Sequence, residues 1–143
     1  MTVGRRQFES EQALADTVLA RLSEAGNILL SSEAPILGRS VDLAYFRQDQ
    51  LHTVEFKLRD WRQAIRQAVD HQLAADFAFI CMPSRRVTTA MREAFEKCGV
   101  GLLFFIDATW PFETIIEPSR SRDQWSVAYD LLRQHIQDGN AER

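Results

Sequence analysis

The stretch Val41–Leu58, VDLAYFRQDQLHTVEFKL, constrains the fold more tightly than any other part of the chain. It reads as two strands, Val41–Arg47 and Leu51–Leu58, joined by the polar turn Gln48-Asp49-Gln50. Side chains alternate faces along a strand. Thr53, Glu55 and Lys57 therefore share one face, and His52, Val54, Phe56 and Leu58 take the other. On the first strand Asp42 shares its face with Ala44 and Phe46. Directly opposed residues of an antiparallel pair point the same way. A hairpin loop of even length puts Asp42 beside Glu55 or Lys57, whereas a one-residue slip sets it against Phe56. Two carboxylates and an ammonium thus meet on an otherwise apolar sheet face, which is what a metal site needs. His52 points away from them.

The flanking segments supply helices and further strands. Ser10–Ala25 carries the stripe Leu14, Val18, Leu22, with Ser10 as cap, Gly26 as stop and Glu11 on the stripe side. Asn27–Ser32 reads as a short strand, and Glu33–Arg39 as an irregular connection because of Pro35 and Gly38. Asp60 with Gln63 forms a capping box for a helix over Trp61–Leu73. Asp76–Met82 is a buried strand reached by a crossover, hence parallel to a neighbour. A helix bearing Val87, Met91, Ala94, Phe95 and Cys98 ends at Gly99, and Val100–Ile106 is a second buried strand. Phe112–Glu117 is an edge strand. Ser121 with Gln124 caps a last helix whose Trp125, Ala128, Leu131 and Ile136 face inward, and Gly139 opens a frayed tail. His135 is read as a dipole partner near the end of that helix. The expectation is one α/β domain over residues 1–143, with a mixed central sheet flanked by helices, a core over about 10–106 and an extension over 107–143.

Several function classes drop out. The chain has 143 residues, and no apolar run approaches the ~20 residues of a membrane span. MTVGRRQFESEQ lacks the apolar stretch of a secretory signal, and Cys81 and Cys98 show no CxxC spacing, so a reducing cytoplasm is expected. There is no GxSxG, no Walker loop and no zinc-type Cys/His cluster. A net charge of −3 gives no global attraction to nucleic acid, so any such contact rests on local clusters. One exists: Arg59, Arg62 and Arg66 make a basic stripe at the start of the helix after the hairpin, with Arg39, Arg85 and Arg86 at neighbouring strand ends. Such a group suits phosphate contacts, and equally suits a solvated helix face paired with Asp60 and Asp70.

The spacing D-x(12)-E-x-K across a hairpin, from Asp42 to Glu55-Phe56-Lys57, resembles the PD-(D/E)xK nuclease superfamily. Residues 10–82 follow that superfamily's restriction-endonuclease-like αβββαβ order, and Val41 stands where the motif's proline is often found. The string Val54–Leu58, the following helix with Gln67, and Ala75–Ile80 are similar to RecB-type members, in which a glutamine on that helix faces the site. Their common tyrosine four residues later is replaced here by His71.

The resemblance implies a nuclease that hydrolyses phosphodiesters in DNA, with Asp42, Glu55 and Lys57 at its centre and Glu11 and Gln67 assisting. Glu33 competes with Glu11 for the role of an additional acid. The cofactor expected on chemical grounds is Mg²⁺ or Mn²⁺, held by the carboxylates of Asp42 and Glu55 and the carbonyl of Phe56. Lys57 is suited to orient the attacking water. A chain this short has little room for a target-recognition domain, so structure-selective cutting or a protein partner that supplies specificity is expected, and analogy with small relatives implies a homodimer. The competing expectation is a catalytically inactive domain of the same fold that binds nucleic acid or protein.

Overall fold

Two successive hairpins build the half of the sheet that carries Asp42 and Glu55, and both turn on two residues. A computed structural model describes residues 8–141. Strand β1 (Leu30–Ile36) enters β2 (Arg39–Arg47) through Leu37-Gly38, and β2 enters β3 (Gln50–Phe56) through Gln48-Asp49. All four turn residues have positive φ, from 49° at Leu37 to 79° at Gly38. Two-residue turns of this hand match the twist of paired strands. The second pairs Arg47 with Gln50 and Leu43 with Val54. One further step of that register sets Asp42 opposite Glu55.

The segment expected to be irregular, Glu33–Arg39, is mostly strand. Pro35 pairs with Ser40 and Ile36 with Arg39. Proline survives there because β1 is the outermost strand, where a missing N–H breaks no interior ladder. The strand expected from Asn27 begins at Leu30 instead, after the left-handed Gly26 and Asn27 have closed the preceding helix.

The described residues form a six-stranded sheet in the order β1-β2-β3-β4-β5-β6, with β4 at Phe77–Met82, β5 at Gly101–Phe105 and β6 at Phe112–Ile116. Strands β3, β4 and β5 are parallel, and the outer pairings are antiparallel. Helix α1 (Glu11–Ala25) covers one face through Leu14, Val18 and Leu22 against Leu43, Tyr45, Val54 and Phe56. Helices α2 (Trp61–His71) and α3 (Thr89–Cys98) cover the other through Ala64, Ile65, Ala68, Met91 and Phe95 against Ile80, Met82 and Leu102. The parallel order follows from the two crossovers, β3-α2-β4 and β4-α3-β5, which lie on one face of the sheet. This is the expected α/β fold, with the expected order of its first six elements.

Helix α4 (Ser126–Ala141) differs from expectation at both ends and in phase. It starts at Ser126, not at a cap on Ser121, whose hydroxyl is buried without a hydrogen-bond partner among the described residues. Its inward residues are Ala128, Leu132 and Ile136, packed on Ala34, Ile36 and Val41, while Trp125 and Leu131 are exposed. Gly139 and Asn140 remain helical, because the Asn140 amide donates to Leu30 O at 3.0 Å and to Ile136 O at 2.7 Å. His135 is exposed and lies outside the last turn, so it is no C-terminal dipole partner. The reading of the N-terminus as free of a secretory signal falls mainly on residues 1–7, outside the described residues. Among the described residues, no helix is long and apolar enough to cross a membrane.

Candidate active site

Asp42 sits where the regular alternation of the sheet breaks. Leu43 packs under α1, yet Val41, two residues earlier and nominally on the same face, is buried with Ala34, Ala44 and Leu51 under α4. The register places Glu33 opposite Asp42, between the pairs Ser32–Leu43 and Ala34–Val41. Glu33 has φ of 52°, a left-handed conformation that costs a non-glycine residue on the order of 1 kcal/mol or more. Across from this kink, the Asp42 carboxylate meets the end of β3. There its Oδ2 accepts the Phe56 N–H at 2.9 Å, and its carboxyl hydrogen-bonds that of Glu55.

Glu55 is 7% exposed, and its Oε2 has no hydrogen-bond partner among the described residues. Burial, then the charge of Asp42 and the hydrogen bond to it, pushes the Glu55 carboxyl well above the usual carboxylate range. Burial also raises Asp42, against the opposing pull of the Phe56 N–H and of Glu55. Both carboxyls are pushed upward, so the pair tends to retain a shared proton. Lys57 lies one residue past the strand, and its N–H donates to Cys81 O at 3.0 Å. Its Nζ is 3.8 Å from Glu11 Oε1, and Glu11 Oε2 takes the Leu58 N–H at 3.4 Å. Glu11 is thus brought to the site, but not on the buried stripe: its side chain is 48% exposed in the first turn of α1.

Two clefts open on either side of the Asp42–Glu55 pair. One, of about 240 Å³ between α1 and β1, is lined by Glu11, Asp16, Ser32, Glu33 and Asp42. The other, of about 320 Å³ under α2, is lined by Arg39, Ser40, Glu55, Gln67 and His71. Gln67 and His71 are one turn apart on α2 and face the same cleft. His71 is 4% exposed, and burial lowers its imidazole to about 4, so the ring is neutral at physiological pH. His52 stacks on Tyr45 at 4.9 Å on the opposite face, away from the acids.

Among the described residues, no three His, Cys, Asp or Glu side chains converge on one point as a ready-made metal site. The donors available to an ion are the two paired carboxylates and the Phe56 carbonyl. That set fits a hard divalent ion, which keeps several water or phosphate oxygens of its own. The unpartnered Glu55 Oε2 and the raised carboxyls mark a pair whose charge Lys57 offsets only in part.

Of the basic residues, Arg59, Arg62 and Arg66 are exposed at the start of α2, and none forms an ion pair among the described residues. Arg62 lies over the Trp61 ring at 4.1 Å. Arg39 is held by Asp70, so the pairing of the helix arginines with Asp70 that the sequence also allowed is not formed. Arg85 is half-buried, and its Nε donates to Arg86 O at 3.1 Å.

Sequence reasoning missed the part played by Asp76. Buried ahead of β4, its carboxylate accepts the Leu51 N–H at 2.8 Å, the Tyr129 hydroxyl at 2.9 Å and the Gln124 amide at 3.0 Å, and Arg120 lies at 3.3 Å. An acid directly ahead of an all-apolar strand was the available signal. Its partners are too distant in sequence to be read with it.

Glu55→Gln is expected to stabilise the ion-free protein at high pH. A carboxyl raised on folding contributes stability at low pH that is lost as the pH rises through its folded-state value. Wild type should therefore lose roughly 1–2 kcal/mol as the pH climbs from 6 to 9, and the variant should not. Urea unfolding across that range measures it, and equal slopes for the two proteins would remove the shared proton.

No family model matches the chain, and no curated protein matches it. Solved structures do. A protein of unknown function from Silicibacter pomeroyi, SPO1766, superposes with a TM-score of 0.63 at 18% identity over 96% of this chain and 90% of its own. An XisH family protein from Nostoc punctiforme gives 0.49 at 14% identity over 71% of this chain and 97% of its own. Protein VC1899 from Vibrio cholerae gives 0.44 at 17% identity over 89% of this chain and 32% of its own. The first supports the α/β fold and nothing beyond it.

Proposed function

We propose that this chain is a nuclease that hydrolyses phosphodiester bonds in DNA with Mg²⁺ or Mn²⁺. The observation that supports this reading most directly is the Asp42–Glu55 carboxylate pair at the end of β3, with an unsatisfied oxygen on Glu55 and the Lys57 ammonium beside it. Asp42, Glu55 and the Phe56 carbonyl would hold the ion, which when bound supplies Lewis acidity to a phosphate oxygen and acidifies a water. Asp42 is positioned by the Phe56 N–H, so its carboxylate and the Phe56 peptide form one rigid unit. Lys57, steered by Glu11, presents its ammonium to the water and to the charge that grows on the phosphate. Gln67 offers an amide to the same side as Glu55.

Arg59, Arg62, Arg66, Arg85 and, once released by Asp70, Arg39 would contact backbone phosphates, which position DNA without reading its sequence. The test is plasmid nicking and cleavage of branched DNA with Mg²⁺ or Mn²⁺. Metal-dependent cutting that disappears in Asp42→Asn is expected, and background cutting by both proteins would end the enzyme reading. In the same setting, Arg59→Ala/Arg66→Ala is expected to weaken DNA binding alike for all sequences and to reduce the salt slope of log K by about 2. Fluorescence anisotropy across a salt series measures it.

The lack of a ready-made cluster of three His, Cys, Asp or Glu side chains, among the described residues, favours a second reading: a domain of this fold that binds nucleic acid or a protein without cutting. Calorimetry with Mg²⁺ separates the two. Binding lost in Asp42→Ala supports the enzyme.

A further inference from the structure

The cleft under α2 contains more unsatisfied polarity than the proposed reaction uses. Glu55, Gln67 and His71 line it, and each carries a buried polar atom, Oε2, Oε1 and Nδ1 respectively, without a hydrogen-bond partner among the described residues. Buried polar atoms are nearly always satisfied, and each one left unpaired costs about 1–3 kcal/mol. Three such residues around one cleft therefore call for an occupant. Glu55 and His71 are both more than nine-tenths buried, so bulk water does not serve them.

The donor set indicates the occupant. A carboxylate oxygen and an amide oxygen present lone pairs, as does the unprotonated nitrogen of a neutral imidazole, and among the described residues the one cationic side chain lining the cleft is Arg39, which Asp70 holds. Imidazole selects against Mg²⁺ and suits first-row transition ions, which also accept carboxylate and amide oxygens. The spacing is favourable, because residues four apart on a helix present their side chains together. The cleft volume of about 320 Å³ leaves room for an ion with its remaining waters.

We propose that Glu55, Gln67 and His71 form a cation site under α2 for a first-row transition ion, separate from the Mg²⁺-type site at Asp42. Glu55 is common to both, since it meets Asp42 and lines the α2 cleft. Beyond sharing that residue, the inference does not rest on the nuclease reading.

Zn²⁺ is a suitable probe because it is diamagnetic and binds imidazole. The protein contains three histidines, so His52 and His135 serve as internal references for His71. In full-length Asp42→Asn, which removes the other site, one equivalent of Zn²⁺ should shift the ¹⁵N resonance of His71 Nδ1 and leave those of His52 and His135 in place. Mg²⁺ should move none of them. By calorimetry, His71→Phe and Gln67→Leu should each lower Zn²⁺ affinity at least tenfold relative to Asp42→Asn alone. An unmoved His71 resonance, or a shift only at His135, overturns the proposal, as does undiminished affinity in a folded His71→Phe. If His71→Phe fails to fold, the resonance measurement on the unsubstituted histidine decides. None of these readouts requires phosphodiester cleavage. Failure of the nuclease assay and failure of this site are therefore seen separately.

Discussion

Lys57→Ala is expected to lower metal-supported DNA cleavage by about two to three orders of magnitude, the loss typical of removing one preorganised charge from a transition state. Two effects combine. Among the described residues the ammonium is the one cationic side chain placed against both Glu11 and the carboxylate pair, and its charge favours ionisation of Asp42 and Glu55. Without it the shared proton is held more tightly, so metal affinity should fall together with turnover. Because the Lys57 backbone is anchored to Cys81 and its side chain reaches the surface at Glu11, the fold should tolerate the change. Lys57→Arg should recover only part of the activity, since a planar guanidinium does not reproduce a compact ammonium. Single-turnover cleavage alongside thermal unfolding tests this. Undiminished cleavage by a folded Lys57→Ala would remove Lys57 from the chemistry.

Asp76→Ala is expected to cost about 3–5 kcal/mol of stability, the largest effect of any single substitution considered. The carboxylate gathers the Leu51 N–H, the Tyr129 hydroxyl and the Gln124 amide, and the Asp76 backbone adds bonds from its N–H to Leu51 O and from Ser121 N–H to its carbonyl, both at 2.8 Å. It thus ties the start of β3, the start of β4 and the lead-in to α4 into one junction. Alanine would leave a buried N–H and a hydroxyl unpaired. Burial alone would raise the carboxyl, but these hydrogen bonds and Arg120 outweigh it and lower it below the usual range. A group lowered on folding contributes stability above its unfolded value and loses it as the pH falls through the folded one. The deficit of Asp76→Ala, read by urea denaturation at neutral pH, should therefore shrink in acid. A loss below about 1 kcal/mol would mean that the junction is held by its backbone bonds alone.

Much of this architecture was legible because it rests on short periods. The two-residue repeat of a strand placed Asp42 and Glu55 on one face, and the apolar runs Phe77–Met82 and Gly101–Phe105 read as interior strands. The first hairpin was less legible: Pro35 argues against a strand unless its edge position is known, and topology supplies that knowledge. Gln48-Asp49 lacks the glycine that usually marks such a turn, so its length had to come from the fold. In and just ahead of α4 the apolar residues at 125, 127, 128, 131, 132 and 136 suit more than one helical phase, and contact with β1 selected Ala128, Leu132 and Ile136. Glu11 shows the complementary case. Its direction toward the site was readable from helix position, but its exposure depends on how far α1 extends beyond the sheet. The junction at Asp76 joins residues 25 to 53 positions away, beyond any local pattern.

The left-handed backbone at Glu33 has a consequence for the edge of the sheet. A sheet that ends in a straight strand invites a neighbouring molecule to add another. Here β1 is bent at Glu33 and lacks a donor at Pro35, so an incoming strand would lose register midway. Growth of the sheet from one molecule to the next is thereby blocked on the side nearest the carboxylates. A dimer that shares a continuous sheet would have to join through β6 and leave both clefts open to solvent.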